Sequence, residues 1–130
     1  MGQAFDSAHQ KYASPIQVVI EALAQLAAPV RTVESFAHGL SFLQMDLTDP
    51  RLYQLTRQGA ELTRSKIETF LNQAVAVGEL EQCDTAKLAA TLQATYHGSL
   101  ITWAMYQDGD IEDCVRAHLA AVISPYRRTP

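Results

Sequence analysis

Residues 84–123 read D-T-A-K-L-A-A-T-L-Q-A-T-Y-H-G-S-L-I-T-W-A-M-Y, then Q-D-G-D, then I-E-D-C-V-R-A-H-L-A-A-V-I. This is a helical hairpin with more apolar surface than one core needs. Leu88, Leu92, Tyr96 and Trp103 fall on one side of its first helix, while Ala89, Ala90, Ala94, Gly98 and Ile101 fall largely elsewhere. A surface helix requires a single apolar stripe. A helix that is apolar on two sides must be covered twice, and a second copy of the chain is the simplest cover. Gly98 points the same way, because glycine inside a helix costs roughly 0.5–1 kcal/mol relative to alanine and asks for a compensating close approach.

Outward from this hairpin, helix punctuation divides the rest of the chain. Ser14-Pro15-Ile16-Gln17 combines an N-cap serine, a first-position proline and a third-position glutamine, and starts a helix that Pro29 stops. Thr32 caps the next, in which Val33, Phe36, Ala37, Leu40, Leu43 and Leu47 repeat at helical spacing while His38, Phe42 and Met45 form a second line. Asp49-Pro50 opens the longest helix, roughly 40 Å at about 1.5 Å per residue, which Gly78 ends and in which Gly59 is a candidate bend. Asp84 or Thr85 caps the opening helix of the hairpin, and Asp108-Gly109-Asp110 turns the chain into the last one. The first dozen residues, with Phe5, His9 and Tyr12, read as the trailing end of a further helix. No strand-like alternation is present. The expectation is one all-α domain over residues 1–130, built from about five or six helices.

Composition narrows the function classes. The 130 residues are 48% hydrophobic and 18% charged, which excludes disorder, and no apolar run reaches the roughly 20 residues of a membrane span. Met1-Gly2-Gln3-Ala4-Phe5-Asp6 carries no secretory signal pattern, and the Met1-Gly2 opening lacks the rest of a myristoylation signal. Two cysteines, Cys83 and Cys114, lack metal-ligand spacing and are too few for a disulfide scaffold, so a reducing cytoplasm is expected. A net charge of −4 with scattered basic residues argues against a nucleic-acid surface in this chain, and Arg127-Arg128 reads as a solvated end.

The order D-P-R-L-Y-Q-L-T-R-Q (49–58), A-V-A-V-G-E-L (74–80), a short acidic link, L-A-A-T-L-Q-A-T-Y-H-G-S-L-I-T-W (88–103) and a final amphipathic helix resembles the C-terminal domain of TetR-family transcriptional regulators over nearly the whole chain. The resemblance implies a helical bundle that encloses a small-molecule site and dimerises through its last two helices. On that basis Ala90, Ala94, Gly98, Ile101, Cys114, His118 and Val122 are expected at the interface of a homodimer. The family's N-terminal helix-turn-helix phrase does not occur in these residues, so DNA is expected as a partner only through a domain not in this chain.

A small-molecule pocket is mainly apolar with a few polar groups. Phe36, Leu40, Phe42, Leu62, Phe70, Tyr96 and Trp103 are the candidate walls, with His38, Lys66 and His97 as polar members and an apolar or aromatic molecule as the ligand. No metal or other cofactor is expected, since His9, His38, His97 and His118 contain no i, i+4 histidine pair and no HExxH or ExxH phrase. Neither a catalytic nucleophile motif nor a phosphate loop is present, and Glu79, Glu81, Asp84, Asp108, Asp110, Glu112 and Asp113 read as helix-end and turn charges. An enzyme is therefore not expected. Two alternatives remain at this point: a headless module that pairs with intact regulators, and a small helical bundle that carries a cofactor or catalyses a reaction.

Overall fold

The computed structural model describes residues 2–129, so Met1 of the Met1-Gly2 opening lies outside them. The described residues form six α-helices: α1 (Gly2–Lys11), α2 (Pro15–Ala27), α3 (Val33–Thr48), α4 (Pro50–Ala76), α5 (Thr85–Tyr106) and α6 (Ile111–Ile123), followed by a 3₁₀ turn at Ser124–Tyr126. The helix starts follow from local chemistry. Side-chain oxygens of Ser14, Thr32, Asp49 and Asp84 accept the N–H groups of Gln17, Ser35, Arg51 and Lys87 at 2.9–3.2 Å, satisfying donors that have no partner inside the helix. The α4–α5 link turns through Gly78 at φ +81°, a conformation in which a Cβ would be strained. Helix α4 runs unbroken through Gly59, so the candidate bend there is not realised.

α2 is the central element, packed against α1, α4 and α6, while α5 packs against α4 and α6. Its residues Ile16, Val19 and Leu23 are fully buried with Phe5, Ile67, Leu71, Leu92, Leu119 and Ile123. Each such side chain contributes about 1.5–3 kcal/mol through removal from water. Phe5 of α1 lies parallel to Phe70 of α4, ring centres 6.0 Å apart and planes 13° apart, which ties the first helix into the bundle. Across the other side of α2, the Arg116 guanidinium meets Glu21 at 3.1 Å and Asp113 at 2.8 Å.

The segment 126–128 is tied back to the α4–α5 link. The backbone N–H of Glu81 donates to the Tyr126 carbonyl at 2.8 Å, and that of Arg128 donates to the Glu79 carbonyl at 3.0 Å. Arg127 bridges Leu80 in an antiparallel sense. The Arg127 and Arg128 side chains are exposed, as expected of a solvated end, while their backbone is tied to the α4–α5 link.

α3 is different from the other five. It contains no buried residue, packs along the first half of α4 and touches α5 only briefly. Phe42 and Met45 on its outer side are 54% and 57% exposed.

Candidate functional site

Between α3, the first half of α4 and the middle of α5 lies a cavity of about 620 Å³, partly open to solvent. Its position follows from the packing just described, because α3 leans on α4 without a buried side chain of its own and leaves the space beneath it unfilled. α3 contributes Ser35, Phe36, Gly39, Leu40 and Leu43; α4 contributes Thr56, Gly59, Ala60 and Thr63; α5 contributes Gln93, Tyr96, His97, Leu100 and Ile101. Leu26 and Val30 close the end against α2. Two helical glycines, Gly39 and Gly59, stand on the wall, and at Gly39 an added Cβ would meet nothing within 4 Å.

Polar groups on the wall are few, and some are already engaged. Gln93, buried on α5, donates its amide N–H to the Ala60 carbonyl at 2.8 Å and accepts Arg64 Nε–H at 2.8 Å. The Thr63 hydroxyl donates to the Gly59 carbonyl at 3.2 Å. Tyr96 and His97 stand together, ring centres 5.4 Å apart. Burial pushes the Tyr96 phenol up to about 12, and desolvation holds the His97 imidazole below its ordinary value, so both groups favour the neutral form.

Phe36, Leu40, Tyr96 and His97 thus line the cavity, and the other six candidate ligand residues do not. His38 and Phe42 lie roughly 200° and 240° round the helix from Phe36 at about 100° per residue, which turns them to the outer side of α3. There they meet each other edge-on at 4.9 Å. Leu62 and Lys66 are exposed on α4 outside the wall. Phe70 lies about two turns beyond Thr63, past the end of the cavity, and belongs to the core through Phe5. Trp103 is also buried elsewhere, its Nε1–H donating to the Gly109 carbonyl at 3.0 Å and so closing the α5–α6 turn. The wall residues missed by sequence reading include Leu26, Gln93 and Leu100. Gln93 carried a usable signal, a polar residue next to Leu92 on a largely apolar helix.

The outer side of α5 and α6 holds the candidate interface residues. Ala94, Gly98 and His118 are exposed, and Ala90, Cys114 and Val122 are half-buried. Ile101 has two aspects: it lines the mouth of the cavity and remains 47% exposed. Met105, one turn further on, is 67% exposed. An added Cβ at Gly98 would meet nothing within 4 Å.

Along the α5–α6 seam, the buried Ser99 hydroxyl donates to the Thr95 carbonyl at 2.8 Å and lies 2.8 Å from His118 Nδ1. With its one proton used on the Thr95 carbonyl, Ser99 can only accept at this contact, from Nδ1–H. Cys114 Sγ is 3.7 Å from the same Nδ1. Cys114 and His118 are four residues apart on one helix face, a pair that histidine spacing alone passes over. Burial and the nearby Asp108 raise the Cys114 thiol, and burial and Asp84 raise Cys83, so neither is poised as a thiolate. No cluster of three or more metal-ligating side chains occurs among the described residues.

An all-α bundle of this order, with a cavity walled by its middle helices and a hairpin at its C-terminal end, is of the TetR C-terminal kind. The chain belongs to the family described as "BetI-type transcriptional repressor, C-terminal", whose profile matches residues 17–124. Members of that family are the C-terminal regulatory domains of transcriptional repressors. Searches of curated proteins and of solved structures returned no match. No helix among the described residues is long and apolar enough to cross a membrane.

Proposed function

We propose that this chain is a single small-molecule-sensing unit that pairs with a second copy of itself and transmits ligand binding to a DNA-reading domain joined to it. The observation that carries this reading is the double use of α5. Tyr96, His97 and Leu100 border the cavity, while Ala94, Gly98 and Met105 stay bare on the helix's outer side. A ligand beneath α3 therefore presses on the same helix that would meet the partner. Such a ligand shifts an equilibrium between dimer arrangements only by its differential affinity for them.

Gly98 supports the pairing. Nothing in its own chain occupies the space a side chain would take, so the roughly 0.5–1 kcal/mol that a helical glycine costs has no compensation within one protomer. Close approach of a second α5 supplies it. The cytoplasm is the compartment this role requires.

Light scattering coupled to size-exclusion chromatography tests the pairing, and native mass spectrometry of freshly purified protein tests the sensing. A dimer at micromolar concentration carrying a retained small molecule is the expected result. A monomer of full helicity overturns the pairing.

A further inference from the structure

We propose that the cavity takes an uncharged, largely apolar molecule bearing one hydrogen-bonding group, such as an alcohol, ketone or ester, and that Tyr96 and His97 receive that group. This inference rests on the reading of the cavity as a ligand site.

The wall carries no charge: among the described residues that line it there is no Asp, Glu, Lys or Arg. A carboxylate or an ammonium group brought into such a space loses its hydration and gains no counter-charge, which is strongly unfavourable. Arg64, next to the wall residue Thr63 on α4, is exposed and does not line the cavity. Its Nε–H is spent on the Gln93 carbonyl oxygen, and the other end of that amide is fixed to Ala60.

The wall groups left to recognise a ligand are neutral. The Tyr96 hydroxyl and the His97 imidazole form no hydrogen bond with the described residues, and their contact is with each other's rings. A phenol and a neutral imidazole each offer one donor and one acceptor, which match a hydroxyl or a carbonyl oxygen. Ser35 and Thr56, across the space, add only hydroxyls. Apolar surface from α3, α4 and α5 supplies the rest of the wall, so the bulk of the ligand is hydrocarbon.

Displacement of the neutral fluorescent arylamine phenylnaphthylamine tests the charge preference, with decanol, decanoate and decyltrimethylammonium as competitors of equal chain length. Decanol is expected to displace the probe at a concentration at least about tenfold below either ion. The double variant Tyr96→Phe, His97→Leu is expected to weaken decanol by about tenfold while leaving the probe bound, as loss of one or two neutral hydrogen bonds implies. Equal or better displacement by decanoate or decyltrimethylammonium overturns the inference while leaving the cavity a ligand site. A different result reaches deeper: if the folded variant Gly39→Leu, which puts a side chain into the open space, binds the probe as well as the unaltered protein does, or if neither binds it, the ligand-site reading falls and the inference with it.

Discussion

The carboxylate of Glu79 caps the start of α2, accepting the backbone N–H of Ile16, 63 residues earlier, at 3.1 Å. Its second oxygen accepts a hydrogen bond from the Ser14 hydroxyl, while the Ser14 oxygen accepts Gln17 N–H at 3.2 Å. The start of α2 is thus held by one local cap and one remote carboxylate, and a negative group there also complements the helix dipole.

Glu79→Ala is therefore expected to cost about 1–2 kcal/mol of stability, the range for a half-exposed charged cap. Urea denaturation measures it. Glu81→Ala, which removes an exposed side chain of the same type two residues on, should stay within about 0.5 kcal/mol.

Gly98→Glu is expected to convert the proposed dimer to a monomer without loss of helicity, because a side chain at that position meets nothing in its own chain. Light scattering and circular dichroism read the two halves of this outcome. Retention of the dimer would place the partner elsewhere.

Removal of the Gln93 side chain should loosen α4 from α5. Gln93→Ala leaves the Arg64 Nε–H and the cavity side of Ala60 without their amide partner, and a cost of about 1–3 kcal/mol follows for a buried bridging group. Thermal denaturation measures this.

His97 gives a pH dependence of definite sign. Its pKa is lowered on folding from the ordinary 6.5 by desolvation. The unfolded chain then binds the proton more readily, so this contribution to stability is complete above the unfolded value and is lost as pH falls from there through the folded pKa. Stability of the unaltered protein should drop more steeply across this acidic window than that of His97→Gln, as urea titrations at stepped pH will record.

Local punctuation was legible in the chain and long-range pairing was not. Ser14, Thr32, Asp49 and Asp84 cap their helices as spacing alone requires, since each bond spans only two or three residues. The cap from Glu79 and the hold on Tyr126 and Arg128 join segments far apart in sequence, and nothing in either segment announces the other. At the cavity, Phe36 and Leu40 follow from the apolar face of α3. Phe70 and Trp103 were drawn there by residue type, yet the position of each along its helix sends it to the core. Gly39 and Gly59, which carry no side chain, shape the space by what they leave open.

α3 forms the roof of the cavity and buries no side chain of its own. Local opening free energy tracks buried apolar contact, so α3 is expected to separate first, below the cost of global unfolding. Its amides should exchange with deuterated water sooner than those of α2, whose residues fill the core. On the proposed reading, a molecule seated in the cavity gives α3 the apolar floor that the chain itself does not provide. Occupancy should then be written in the exchange pattern as slowing concentrated on α3, with α2 little changed.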